Sequence, residues 1–183
     1  GLFGLSRMLR RRTSIENAAP MGINLEIDEI VFFPLIYWPV TPDFPDLSAA
    51  AIAKVDAFMK GGGTILFDTR DHQVALIGAL SGSITPEARR LRQILAKLDG
   101  PPLTPVPPKH ILTRAFYLMQ RFPGRWSGGR VWVGRHSGGI NDGVSSLIIG
   151  SHDWAAAWAL DDRRRPMFAV VPGGERQREM AFR

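Results

Sequence analysis

The chain has 183 residues, of which 45% are hydrophobic and 22% charged, the balance of a globular protein with material for one core rather than of a disordered tail or a collagen-like rod. It contains no cysteine, which removes disulfides, thiolate metal ligands and a cysteine nucleophile together. The formal net charge of +6 comes almost wholly from arginine, since Lys54, Lys60, Lys97 and Lys109 are the only lysines. These arginines are scattered and form no basic stripe interleaved with aromatics, so nucleic acid is not an expected partner.

In chain order, residues 1–12 place Leu2, Leu5, Met8 and Leu9 at helical spacing, with Arg7, Arg10, Arg11 and Arg12 filling the later turns, a cationic end that suits the helix dipole and gives the arginine cluster a structural account before any binding role is needed. No capping residue precedes this helix, so the parent chain is expected to begin earlier. Residues 29–33 form an apolar run ended by Pro34 and read as a buried strand, and 35–45, dense in Tyr, Trp and Pro, read as an irregular loop. Ser48 is the expected cap of a helix that buries Ile52, Val55, Phe58 and Met59 and stops at Gly61-Gly62-Gly63.

A second strand is expected over 64–67, followed by a helix with Thr85 as cap, Pro86 in its first turn, and Leu91, Ile94, Leu95 and Leu98 on its core face. The proline-rich stretch 101–108 reads as a rigid connector and 110–119 as a short helix. Further strands are expected over 130–134, 145–150 and 166–171, with a small helix over 153–160 and a polar helical turn opening at Gly173-Gly174. Strands alternating with amphipathic helices imply one α/β domain over 1–183, with a mostly parallel open sheet covered by helices on both faces. The last helix meets no terminator, so the domain is expected to be cut from a longer chain at both ends.

In such sheets ligands sit beyond the carboxyl ends of the strands. Asp68, Thr69, Arg70, Asp71 and His72 follow the second strand and bring acid, hydroxyl, cation and imidazole together. Such a set could hold an anion or serve acid–base chemistry. The simpler reading makes Asp68 a structural carboxylate paired with Arg70. Ser151, His152 and Asp153 follow the strand at 145–150; adjacent residues diverge, so they do not make a catalytic triad, and Asp153 reads as the cap of the helix carrying Trp154 and Trp158.

Asp68, Thr69, Arg70, His72, Ser151, His152 and Asp153 are therefore candidate ligand-binding residues, with no catalytic residue assigned. His72, His110, His136 and His152 are spaced singly, so no metal site is expected, and no cofactor. Gly61-Gly62-Gly63 follows a helix, the wrong context for a phosphate loop. The run from Gly138 to Gly143 serves equally as a ligand loop or a turn.

The runs GLSRMLRRRTSIE, IVFFPLIYWPV, GGGTILFDTRD, FYLMQRFPGRW, GSHDWAAAWA and PGGERQREMAFR resemble domain-of-unknown-function family number 4159 along essentially the whole chain. The resemblance implies a flavodoxin-like, class I glutamine amidotransferase-like sheet at the C-terminus of long bacterial membrane proteins of the BatA type. It further implies a membrane-anchored parent with this domain in the periplasm, touching membrane only through the rest of that parent. Amidotransferases of this fold carry a cysteine on a tight turn after a strand, where this chain has Asp68-Thr69-Arg70, so glutaminase activity is not expected. The expected function is a non-catalytic binding or interaction domain for a protein or small molecule. The alternative is a hydrolase or sugar-linked enzyme with a trehalose-utilisation-like pocket at the strand ends.

Overall fold

The computed structural model describes residues 1–14, 16–81, 83–114, 119, 121–135 and 145–182. The chain forms two compact units: Gly1–Gly22 with Arg121–Gly129 and His152–Arg183, and Ile23–Gln120 with Arg130–Ser151. Of the run expected as a helix over 110–119, Ile111–Thr113 form a single 3₁₀ turn and 115–118 lie outside the described residues, as do His136 and the glycine-rich run 138–143.

The second unit holds a five-stranded sheet: β1 (Leu35–Pro39), β2 (Thr64–Asp68), β3 (Leu103–Pro105), β4 (Trp132–Gly134) and β5 (Leu147–Gly150), in the spatial order β1-β2-β5-β4-β3. β1 pairs with β2, and β2 with β5, in parallel; β5 with β4, and β4 with β3, pair antiparallel. β4 alone therefore runs against the other four, so the open sheet is mostly parallel, as read from the sequence, and mixed rather than fully parallel. The physical reason lies in the connections. A helix carries the chain from β1 across to β2, as a parallel pair requires, whereas the described residues between β3 and β4 hold only the single-turn 3₁₀ helix Ile111–Thr113.

Two strands occur where the sequence predicts irregular chain. β1 lies inside the segment read as a loop, and β3 inside the proline-rich connector. Both are edge strands, which tolerate Pro39 and Pro105 because one side of an edge needs no donor. Conversely, residues 29–33 are not a strand. The main chain turns there, with Phe33 N donating to Ile30 O at 3.1 Å; Ile30 is buried in the core and Phe33 packs half-buried against it, while Val31 and Phe32 are 68% and 83% exposed. The strand expected over 166–171 is reduced to two single bridges, Leu160 with Pro166 and Trp126 with Val171. Expectations for 64–67, 130–134 and 145–150 match β2, β4 and β5 to within two or three residues.

Register puts Ile36, Ile65 and Leu147 in one row and Trp38, Phe67 and Ile149 in the next, all on one face of the sheet and all buried. Val55, Phe58 and Met59 of α2 (Ala49–Lys60) and Leu91 and Ile94 of α4 (Pro86–Leu95) belong to the same buried cluster. Each such side chain contributes about 1.5–3 kcal/mol of burial. The intervening row, Tyr37, Leu66 and Ile148, is half-buried. Between β2 and α4 lies α3 (His72–Ser81), which no pattern in the sequence singles out.

Both expected caps form: Ser48 Oγ accepts from Ala51 N and Thr85 Oγ1 from Ala88 N, each at 3.1 Å, and Pro86 opens α4. The Ser48 cap has an unforeseen support. Glu26 accepts from Ser48 N at 3.0 Å and from Ser48 Oγ at 2.6 Å. These bonds, from the Ser48 side chain first and its main chain next, hold the Glu26 carboxyl below the ordinary glutamate range. A carboxylate whose folded-state pKa is depressed contributes stability above its unfolded pKa, and that contribution is lost as pH falls through the folded value. Replacing Glu26→Gln is therefore expected to lower the Tm near neutral pH and to flatten the wild-type loss of stability on the acid side of the glutamate range. Melting curves across that range check this; parallel wild-type and variant profiles would contradict it.

Candidate functional site

At the carboxyl end of β2 the chain reverses into α3 within a few residues. Thr69 N donates to Gly150 O at 3.0 Å, prolonging the β2–β5 pairing, and His72 N donates to Ser151 O at 3.3 Å. Between them Arg70 takes φ = 58°, the left-handed region that costs a non-glycine residue strain. Two buried carboxylates hold this turn. Asp68, fully buried, accepts from Tyr37 Oη at 3.0 Å on one oxygen and from the Arg70 main-chain N–H at 3.2 Å on the other. Asp71 accepts from Thr69 Oγ1 at 2.5 Å and, on its second oxygen, from Thr85 Oγ1.

Thr85 thus donates to Asp71 while accepting from Ala88 N, so one hydroxyl links the strand-end turn to the start of α4. The sequence names Thr85 only as a cap and Asp71 only as one of a cluster. Their bond joins residues fourteen apart, a separation with no local signature.

The expected partnership of Asp68 with Arg70 takes a different form. Among the ion pairs of the described residues none joins these two, and the Arg70 side chain is exposed. The reason is geometric: with φ positive at Arg70 the main-chain N–H turns back to Asp68, two residues earlier, and the side chain is left in solvent. Asp68, Thr69, Arg70, His72 and Ser151 share the sheet unit and lie together at this strand end, whereas His152 and Asp153 belong to the other unit.

In that unit α5 (Trp154–Ala157) follows Asp153, and α1 (Leu2–Arg12) and α6 (Gly174–Ala181) complete the helices. Asp153 occupies the cap position of α5 but makes no side-chain cap bond. It sits at φ = 54°, and its carboxylate pairs with Arg125 at 3.2 Å. His152 is fully buried and stacks on Trp154 with ring centroids 4.8 Å apart. Gly124 packs against His152 so closely that any Cβ there would meet the histidine's Cβ and carbonyl oxygen at 2.5 Å. Trp154 and Trp158 are buried, their indole N–H groups donating to Pro123 O and Ala181 O at 2.9 and 2.7 Å.

Two residues here escaped sequence reasoning. Gln177 donates to Gly124 O and Val171 O and accepts from Gly173 N, all at 2.8–3.0 Å. Arg178, only 4% exposed, donates to Ala157 O, Phe168 O and Glu175. On a helix rich in Glu, Arg and Gln, nothing local marks which polar side chain turns inward.

Two outcomes follow for the strand end. Asp68→Asn is expected to destabilise the fold by about 1–3 kcal/mol, roughly 3–10 °C in Tm. Arg70→Gly keeps the left-handed turn and its N–H while deleting only an exposed guanidinium, so its Tm should stay within about 2 °C of wild type. Thermal denaturation of both variants checks this, and a large loss in Arg70→Gly would restore the guanidinium as charge partner.

No curated protein matches the sequence. The family model described as "Domain of unknown function (DUF4159)" matches residues 1–183. The chain, with its mixed five-stranded sheet and doubly anchored strand-end turn, belongs to the DUF4159 family.

Proposed function

We propose that this chain is a non-catalytic binding domain of a membrane-anchored cell-envelope protein, facing the periplasm, with a flavodoxin-like, amidotransferase-like sheet as its scaffold. The observation that carries the reading is the chemistry of the turn after β2. Its left-handed tip is Arg70, a residue that is no nucleophile, and the carboxylates on either side are engaged in holding the turn. A general acid or nucleophile needs a side chain directed at substrate. Asp68 and Asp71 are directed at hydroxyls and main-chain amide of their own fold, while the exposed group is a cation suited to an anionic partner.

The parallel pairing of β1, β2 and β5, with α2 carrying the chain from β1 to β2, supports the flavodoxin-like scaffold. The membrane parent and its orientation rest on the resemblance of the sequence to C-terminal domains of BatA-type proteins. Among the described residues no helix is long and apolar enough to cross a membrane. Anchoring on this reading comes from the rest of the parent.

Purified chain is expected to leave glutamine and p-nitrophenyl glycosides unhydrolysed above background. Turnover abolished by Asp68→Asn in protein that still folds would replace the binding reading by the hydrolase one. Alkaline phosphatase fused after Arg183 in the parent should be active, and activity only of a cytoplasmic reporter at the same point would overturn the periplasmic placement.

A further inference from the structure

A cationic concavity lies in the other unit, away from the strand-end turn in sequence. It has a volume of about 490 Å³, within the range of small-molecule sites, and its lining includes five arginines against two glutamates. Both glutamates are engaged: Glu175 with Arg178 at 3.2 Å, and Glu179 with Arg12 at 2.6 Å. Arg178 is held by main-chain carbonyls as well, and Arg10 donates to Asn17 O. That leaves Arg7, Arg11 and Arg164 with no ion-pair partner among the described residues.

The placement of these three is built into the fold. Arg7 and Arg11 stand one helical turn apart on α1, a like-charge spacing that weakens a helix unless an anion offsets it. The close seating of α1 fixes them, since Gly4 meets the Trp158 carbonyl with no room for a Cβ. Arg164 reaches the same groove from the turn after Leu160. Asp161 takes Arg165 in an ion pair at 2.9 Å and closes the turn, leaving Arg164 at φ = 66° on its tip. The helix dipole accounts for cations in the last turn of α1, but Arg7 precedes that turn and Arg164 is on another segment. The rest of the lining includes the apolar side chains of Met8, Leu160, Pro166 and Phe182.

We propose that this groove binds an organic phosphate, its dianionic head gripped by Arg7, Arg11 and Arg164 and its apolar body against Met8, Leu160 and Phe182. Guanidinium forks match phosphate oxygens in geometry as well as charge, and a wall of aliphatic and aromatic side chains gives no reason for a bare inorganic ion. The head can belong to a soluble molecule or to a lipid in a bilayer; the chemistry of recognition is the same.

Isothermal titration of the whole chain with monooctyl phosphate below its micellar concentration tests this. Saturable binding is expected, at least about tenfold tighter than inorganic phosphate or octanol alone, and weakening with added salt. Arg7→Glu with Arg11→Glu should weaken it by at least about tenfold, as should Arg164→Gln on the separate segment after Leu160, which serves if the double variant does not fold. Arg89→Glu with Arg176→Glu, the same charge change at exposed sites outside the groove, should not. Flotation with phosphatidylcholine vesicles with and without phosphatidic acid separates the sources: retention only with phosphatidic acid assigns the lipid head, and its absence alongside octyl phosphate binding assigns a soluble ligand. No saturable binding of octyl phosphate, or binding indifferent to both groove variants, would overturn the proposal.

Discussion

Taking a carboxylate out of water costs several kcal/mol unless donors replace the lost hydration, and this chain does so twice within four residues at the end of β2. Asp68 and Asp71 are both buried, and the described residues supply each with donors drawn from different parts of the sheet unit. Those from outside the turn are the Tyr37 hydroxyl of the edge strand and the Thr85 hydroxyl that begins α4. The demand of the two charges for donors thereby fixes where β1, β2 and α4 stand relative to one another, and it holds Arg70 in a conformation that would otherwise relax.

The apolar face of the sheet supplies the bulk of the stabilisation but little of this geometry. Ile36, Trp38, Ile65, Phe67, Leu147 and Ile149 would pack comparably under modest shifts of α2 or α4, because apolar contact is non-directional. Hydrogen bonds to buried carboxylates are directional, and they select one arrangement among those the core allows. The other unit follows the same logic with buried donors in place of buried acceptors. There Gln177 and Arg178 supply donors to orphan carbonyls of residues 124, 157, 168 and 171, segments that carry little regular structure of their own.

Legibility in the sequence followed how local each determinant is. The helices capped by Ser48 and Thr85, and the strands β2, β4 and β5, were readable because their signals lie within a few residues. β1 and β3 have no such local signal, because tolerance of Pro39 and Pro105 depends on edge position, which exists only once the sheet order is known. Residues 29–33 have a strand's composition, yet only Ile30 is buried there. At the candidate site the residue types and the place, beyond β2, were legible. The direction of Arg70 was not, since its φ is set by Asp68 through space. Nor were the inward turns of Gln177 and Arg178, which share a helix with exposed neighbours of the same chemistry.

The central claim is that a buried acid–hydroxyl bond joins the strand-end turn to α4, and a double-mutant cycle measures that bond directly. Stabilities of Asp71→Asn, Thr85→Val and the double variant, from chemical denaturation, give the coupling after each single loss is subtracted. The account predicts a favourable coupling of about 1 kcal/mol or more between the two positions. Additivity within about 0.3 kcal/mol would contradict it, showing that Asp71 and Thr85 act on stability independently.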